Sequence, residues 1–258
     1  VGIAASEYRE FLPPSALSEH LLCLWTQTIH SPVGFAQRVL PDCCVDILLI
    51  NYVPTVVGPW TKPFVAPLPP GTIIIGARCH PGLAPSLLGV PASELLNCSV
   101  PLSDVWGDAK TARFARIAGR ASLSERIAAM EAALLDRVAN ASPVDKTTRA
   151  AIRWISQRPH GRVEQLSQWL GLSSRQIQRR FAASVGYGPK LFQSVLRFQR
   201  LLHLAAEPEV HANLAQLAAD AEYADQAHMT RELQRFSGSS PIISLQSARC
   251  TLRLSGLI

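Results

Sequence analysis

Two hydrophobic periodicities divide the chain. Up to about residue 105, short apolar runs rich in β-branched residues are punctuated by proline and glycine. The runs "LLCLWTQTI" (21–29), "CVDILLINY" (44–52), "TVV" (55–57) and "GTIIIGA" (71–77) predict strands, with "HSPVG" and "VAPLPPG" as turns between them. Short strands at this spacing suggest a sandwich or a small barrel. From about residue 109 proline becomes scarce and apolar residues recur at three- and four-residue steps. Ser122 and Glu125 stand in capping-box spacing at the head of "SLSERIAAMEAALLDRVA". In that helix Ile127, Met130, Leu134 and Val138 form one apolar stripe, which reads equally as a dimer seam or as a face packed on the β-rich part. "NASP" (140–143) breaks the helix, and Pro143 is placed to open the next one. The expected division is 1–140 and 141–258.

The second part reads as all helix. Helices are expected over "PVDKTTRAAIRWISQR", "VEQLSQWLGL", "SSRQIQRRFAASVG" and "KLFQSVLRFQRLLHLAAE", then at roughly 212–221, 225–237 and 241–249. It also repeats itself at a period of about 51 residues. Leu166 falls on Leu217, Ile177 on Met229, Arg179 on Arg231, Phe181 on Leu233, Gly186 on Gly238 and Pro189 on Pro241. Each copy is a short helix, a turn and a second helix with an apolar inner face and a polar outer one. This is the helix-turn-helix pattern, whose second helix enters the major groove. The first unit covers about 162–186 and the second about 212–238.

Charge follows the same division. Residues 1–140 carry ten Lys and Arg against eleven Asp and Glu, whereas 141–258 carry fifteen against eight. A basic block beside a neutral one points to a polyanion partner, here double-stranded DNA. Arg175, Gln178 and Arg179 project together from the first recognition helix. Arg matches the O6/N7 edge of guanine and Gln the N6/N7 edge of adenine. Gln226, Ala227, Thr230 and Arg231 share the outer face of the second, where Ala227 suits a thymine methyl. Arg180 lies off that face and is expected at the DNA backbone or in solvent. Residues 158–200 hold eight basic groups against one acidic, and 207–241 hold two against six. The first unit is therefore expected to anchor the protein and the second to add modest discrimination.

Residues 145–248 resemble the tandem helix-turn-helix domain of the AraC/XylS family of bacterial transcription regulators. The segments "LSQWLGLSSRQIQRRFAASVGYGP" and "YADQAHMTRELQRFSGSSP", with the helix between them, carry the likeness. It implies two recognition helices in successive major grooves on one DNA face, with the seven residues named above at the base-reading positions. Glu222 stands where the second turn usually has Gly, so a turn of different shape is expected there, since a left-handed position tolerates Glu poorly. Leu233 replaces a usual Phe, and the tail at 250–258 matches nothing in the family.

"RVLPDCCVDILLI" and "GARCHPGLAPSLLGVPASELLNCSVPLSDVWG" resemble the N-terminal domain of one branch of that family. There "P-D-G-C-x-D" precedes "G-x-R-x-x-P-G" and a "V-P-L-x-D-x-W-G" ending. Pro41, Asp42, Cys44, Asp46, Gly76, Arg78, Pro81, Gly82 and Trp106 fit, and Cys43 stands where Gly is common. The implied fold class is α+β in two domains: a β-rich, barrel-like sensor domain with following helices, then the all-α domain.

Asp42, Asp46 and Arg78 read either as a ligand clamp or as a structural ion pair, and Trp25 and Trp60 as pocket lining or core. Cys43, Cys44 and Cys79 with His80 raise a soft-metal or thiol-responsive alternative, although neighbouring strand residues point to opposite faces. An enzyme using Cys44 or Cys79 as nucleophile finds no supporting motif: no nucleophile elbow, Walker loop or zinc-protease signature is present. The six cysteines have no framework spacing, no apolar run reaches membrane-spanning length, and no secretory signal opens the sequence. The expectation is a non-enzymatic, cytoplasmic transcription regulator without a cofactor. Its expected partners are DNA, a small-molecule effector of unassigned chemistry, RNA polymerase if it activates, and a second copy if it dimerises, with no membrane. A DNA-binding protein without any effector is the third reading.

Overall fold

The computed structural model describes residues 5–116, 122–158, 160–206 and 214–239. The helix expected at 241–249, Pro241 and the tail lie outside them. The first part contains β1 (Ser6–Phe11), β2 (Leu21–Ile29), β3 (Phe35–Val39), β4 (Asp46–Ile50), β5 (Val53–Val57), β6 (Phe64–Leu68), β7 (Ile73–Cys79) and β8 (Ser99–Pro101). Six strands form an antiparallel sheet in the order β1-β2-β7-β4-β5-β8, and β3 pairs with β6 in a separate ribbon.

Side-chain alternation gives the six-stranded sheet two apolar faces. Trp25, Ile29, Leu48 and Ile74 meet Phe35, Ala66 and Leu68 of the ribbon in one core. Leu24, Ile47, Leu49, Ile75 and Ala77 point the other way, into a core capped by helices. Those helices are α1 (Ala84–Leu88), α2 (Leu102–Trp106), α3 (Asp108–Ala115) and α4 (Leu123–Ala139), with a short 3-10 turn at Ala92–Leu95. The expected capping box opens α4: Ser122 Oγ accepts from the Glu125 N–H, and Glu125 accepts from the Ser122 N–H.

Met130 and Leu134 of α4 are wholly buried in the sheet's second core, with Ile127 and Val138 packed at its edge. Of the two readings of that stripe, the structure shows the packed face. Pro143 does not open the next helix. The helix α5 (Lys146–Ser156) starts three residues later, where Asp145 accepts from the N–H groups of Thr147 and Thr148. An Asp that satisfies two of the first-turn donors defines a helix start better than Pro, which satisfies none.

The helical part continues with α6 (Val163–Leu170), α7 (Ser174–Val185), α8 (Pro189–Ala206), α9 (Leu214–Asp220) and α10 (Gln226–Ser237). Its core is built from Trp154, Leu166, Ile177, Phe181, Phe192, Phe198, Leu217, Met229, Leu233 and Phe236, among others. Cys43 from the first part is buried in this same core, beside Tyr187. The two parts also meet where Gln199 donates to the Pro41 carbonyl, Arg149 pairs with Glu19, and Gly82 packs on Ile152.

Candidate nucleic-acid interface

In both units the inner face of the second helix is apolar and closed. Ile177 and Phe181 of α7, and Met229 and Leu233 of α10, are buried at the positions that the repeat equates. Leu233 fills its site without the aromatic ring common in the family. Each recognition helix begins on a side-chain cap: Ser173 accepts from the Gln176 N–H, and Asp225 from the His228 N–H. Each ends on a left-handed glycine, Gly186 and Gly238.

The turns also match. Gly171 has φ 64°, and Glu222, which was expected to change the second turn, has the same φ of 64°. Glu222 is held in this conformation by Arg200 of α8, whose Nη1 donates to its Oε1 at 2.7 Å. The strain of a left-handed, Cβ-bearing residue is thus offset by an ion pair, and the shape of the turn survives.

On the outer faces, Arg175, Gln178 and Arg179 are all exposed, as are Gln226, Ala227 and Arg231, while Thr230 is half-buried. Gln178 lies back against the chain: a Cβ on Gly188 would stand 2.2 Å from its amide nitrogen. Arg180 points elsewhere and pairs with Asp145 at 2.9 Å.

The charge contrast between the units is smaller in space than along the sequence. Arg197 of α8 pairs with Glu232 at 3.4 Å and lies over the Tyr223 ring, and Arg200 pairs with Glu222. Two of the cations counted with the first unit therefore neutralise acids of the second, and Arg180 is spent on Asp145. The exposed outer arginines of α7 are Arg175 and Arg179, against Arg231 and Arg235 on α10.

The candidate effector residues come together on the ribbon-facing side of the sheet. Arg78 Nε lies 3.2 Å from Asp46 Oδ1 and 3.8 Å from Asp42 Oδ2. Trp25 lies flat on Gly76, its cross-strand partner, donates to Asp46 at 3.2 Å, and has the Arg78 guanidinium 5.9 Å from its ring. Burial pushes the Asp42 carboxyl above its usual range against the pull of Arg78. Four polar groups from three separate segments thus form one network. Trp60, the other aromatic candidate, stacks on Phe64 at 4.6 Å.

The cysteines are dispersed. Cys43 faces the helical core, Cys79 the helix-capped face of the sheet, and Cys44 donates to the Asp42 carbonyl. Burial pushes all three thiols upward, opposite to what a nucleophile or a metal-binding thiolate needs. His80 Nε2 donates to the Ser18 carbonyl at 3.2 Å. Among the described residues no group of three or more His, Cys, Asp or Glu is placed to hold a metal ion. No described helix is long and apolar enough to cross a membrane.

Two helix-turn-helix units joined by one helix, with paired exposed recognition faces, define a DNA-binding protein. Residues 166–243 match the family described as helix-turn-helix domain, and residues 9–101 match a domain of unknown function, DUF6597. The chain thus carries an AraC-type helix-turn-helix DNA-binding domain behind a DUF6597 domain.

Among solved structures, the C-terminal domain of AraT, a response regulator from Geobacillus stearothermophilus, is similar at 17% identity and TM-score 0.37, over 45% of this chain and 94% of that one. ToxT from Vibrio cholerae is similar at 10% identity and TM-score 0.43, over 93% and 97%. A further ToxT structure, bound to (E)-4-(8-methylnaphthalen-1-yl)but-3-enoic acid, is similar at 10% identity and TM-score 0.44, over 94% and 98%. No curated protein matches the sequence.

Proposed function

We propose that this regulator reads DNA with α7 and α10 in successive major grooves on one face of the duplex, and that residues 1–140 regulate the reading by residues 141–258. Arg175, Gln178 and Arg179 are the base readers of the first unit, and Gln226, Ala227, Thr230 and Arg231 those of the second. One observation carries the reading. The two units present polar outer faces over equivalent buried positions, Ile177 with Met229 and Phe181 with Leu233. A plain helical bundle has no reason to repeat that arrangement with matched left-handed turns. The test is selection from a random duplex library with the full chain. The reading requires a bipartite site whose two boxes lie roughly one helical turn, about 10 bp, apart. Enrichment of a single box, or of none, contradicts it.

The regulatory half of the proposal is a small-molecule effector held in the first domain near Asp42, Asp46, Arg78 and Trp25. Its support is that these residues gather into one charged and hydrogen-bonded network where the sheet faces the ribbon. In the structure they pair with one another, so a ligand acts there by exchanging for an internal ion pair. A ligand bound only by the folded state raises the melting temperature, and the rise grows with the logarithm of ligand concentration above Kd. If no compound of a broad metabolite panel shifts it, the reading without an effector replaces this one. Any homodimer uses a surface other than the α4 stripe, which is already buried.

A further inference from the structure

The loop 58–63 joins β5 to β6 and reaches the far ends of both recognition helices. The Pro59 ring lies on Gly186, which closes α7: a Cβ there would stand 2.7 Å from Pro59 Cγ. The Pro63 ring lies on Gly238, which closes α10: a Cβ there would stand 3.0 Å from Pro63 Cγ. Both glycines are in the left-handed conformation that ends a helix, so backbone geometry alone accounts for them. The proline contacts add an independent reason, because no side chain fits between cap and ring.

The loop itself is held firmly. Gly58 approaches Leu95 so closely that a Cβ would stand 1.6 Å from the Leu95 carbonyl oxygen. The Thr61 N–H and hydroxyl both donate to Asn97 Oδ1, at 2.7 and 3.0 Å. Proline adds its own stiffness, since its φ is fixed. Beside the loop, Arg38 of β3 donates to Ser239, just beyond α10, at 2.6 Å.

We propose that this loop is a strut setting the spacing and angle between α7 and α10, with Pro59 and Pro63 as positioning residues for operator spacing. The inference rests on the reading that both helices enter DNA. The helix α8 joins the two units along one side, through Phe192 against Phe181 and through the ion pairs from Arg197 and Arg200. The strut joins their far ends and closes a triangle. Rotation of either unit about α8 must then part a helix cap from a proline or drive the two together. The first domain acquires a route to DNA readout that needs no change in any base-contacting residue.

The experiment compares the full-length wild type with a Pro59→Ala, Pro63→Ala double variant. The probes are duplexes carrying the two boxes recovered by selection, with one base pair added or removed between them, and a duplex with the first box alone. The wild type is expected to lose about tenfold in affinity when the spacing changes, within the range of ordinary coupling between sites. The double variant is expected to discriminate by only about twofold, while its affinity for the first box alone is unchanged. Equal discrimination by the two proteins overturns the proposal. If the double variant does not fold, Arg38→Ala is read in the same way. Failure of the underlying reading shows separately, as the absence of any two-box site in the wild-type selection, and this inference falls with it.

Discussion

Arg200 Nη1 lies 2.7 Å from Glu222 Oε1, and this pair spans from the connecting helix α8 to the turn of the second helix-turn-helix unit. Glu222 keeps the left-handed backbone that Gly171 supplies in the first unit. A non-glycine residue there costs about 1–2 kcal/mol, and a partly exposed ion pair returns about 1 kcal/mol at most. Glu222→Gly is therefore expected to leave stability within about 0.5 kcal/mol of wild type, since relief of strain offsets the lost pair and the extra chain entropy. Glu222→Ala keeps the strain and loses the pair, and should cost about 1 kcal/mol. Chemical denaturation decides it: an alanine variant as stable as the glycine variant contradicts the account.

The α4 stripe gives a second prediction. Leu134 is wholly buried against the sheet, so Leu134→Ala should cost about 2–5 kcal/mol by transfer and cavity effects. Light scattering should show no change in oligomeric state at temperatures where the variant is folded. A dissociating dimer with unchanged stability would restore the seam reading.

Both outcomes bear on what the sequence made legible. The repeat placed α6, α7, α9 and α10 to within a few residues, because glycine, Ser173 and Asp225 punctuate them and Ile177, Phe181, Met229 and Leu233 keep strict helical spacing. The strands β1, β3 and β8 were not legible, and "VAPLPPG", expected as a turn, instead runs through the strand β6 over its first four residues. The exposed Glu7 and Arg9 of β1, and Pro67 and Pro101 in β6 and β8, dilute the apolar signal, as edge and ribbon strands allow. Short helices such as α1 and α2 carry too few turns to show a period. Of the two departures from glycine positions, Cys43 suggested altered chemistry and Glu222 an altered turn, yet both residues adopt the left-handed backbone, at φ 67° and 64°. Their partners, Tyr187 and Arg200, are distant in sequence. The same is true of the network joining Trp25, Asp42, Asp46 and Arg78, whose residues could be named from the sequence but whose closure could not. The strut at 58–63 had no sequence signal beyond its prolines.

Asp145 links stability to pH. Burial pushes its carboxyl up, but hydrogen bonds from Arg180 and Thr148 outweigh this and hold it below the usual aspartate range. A carboxylate depressed in the folded state contributes stability that is present above the unfolded pKa, about 4, and lost as pH falls through the folded value. Asp145→Ala should cost about 1–2 kcal/mol near neutrality through the lost cap. The gap between variant and wild type should narrow below about pH 4. A gap that is constant across the acid range contradicts the assignment.

Cys43, Cys44 and Cys79 are 2%, 3% and 0% exposed. At neutral pH a thiol reagent should leave all three unmodified in the native protein and label them only on unfolding, as peptide mapping can report. Labelling of Cys43 alone under native conditions would mean that the two domains part readily at Tyr187. Labelling of Cys44 or Cys79 in the folded chain would reopen the thiol-responsive reading.

The central proposal is that α7 and α10 both read bases, with α7, in the unit that is more basic along the sequence, contributing more. Its most direct measurement is the affinity of full-length wild type, Arg179→Ala and Arg231→Ala for the two-box duplex, each with single base substitutions through both boxes. The account predicts a loss of about 1–3 kcal/mol for Arg179→Ala, with relaxed preference at one position of the first box. It predicts a smaller loss for Arg231→Ala, confined to the second box. A larger loss for Arg231→Ala, or binding by Arg179→Ala with both affinity and preference intact, would contradict it.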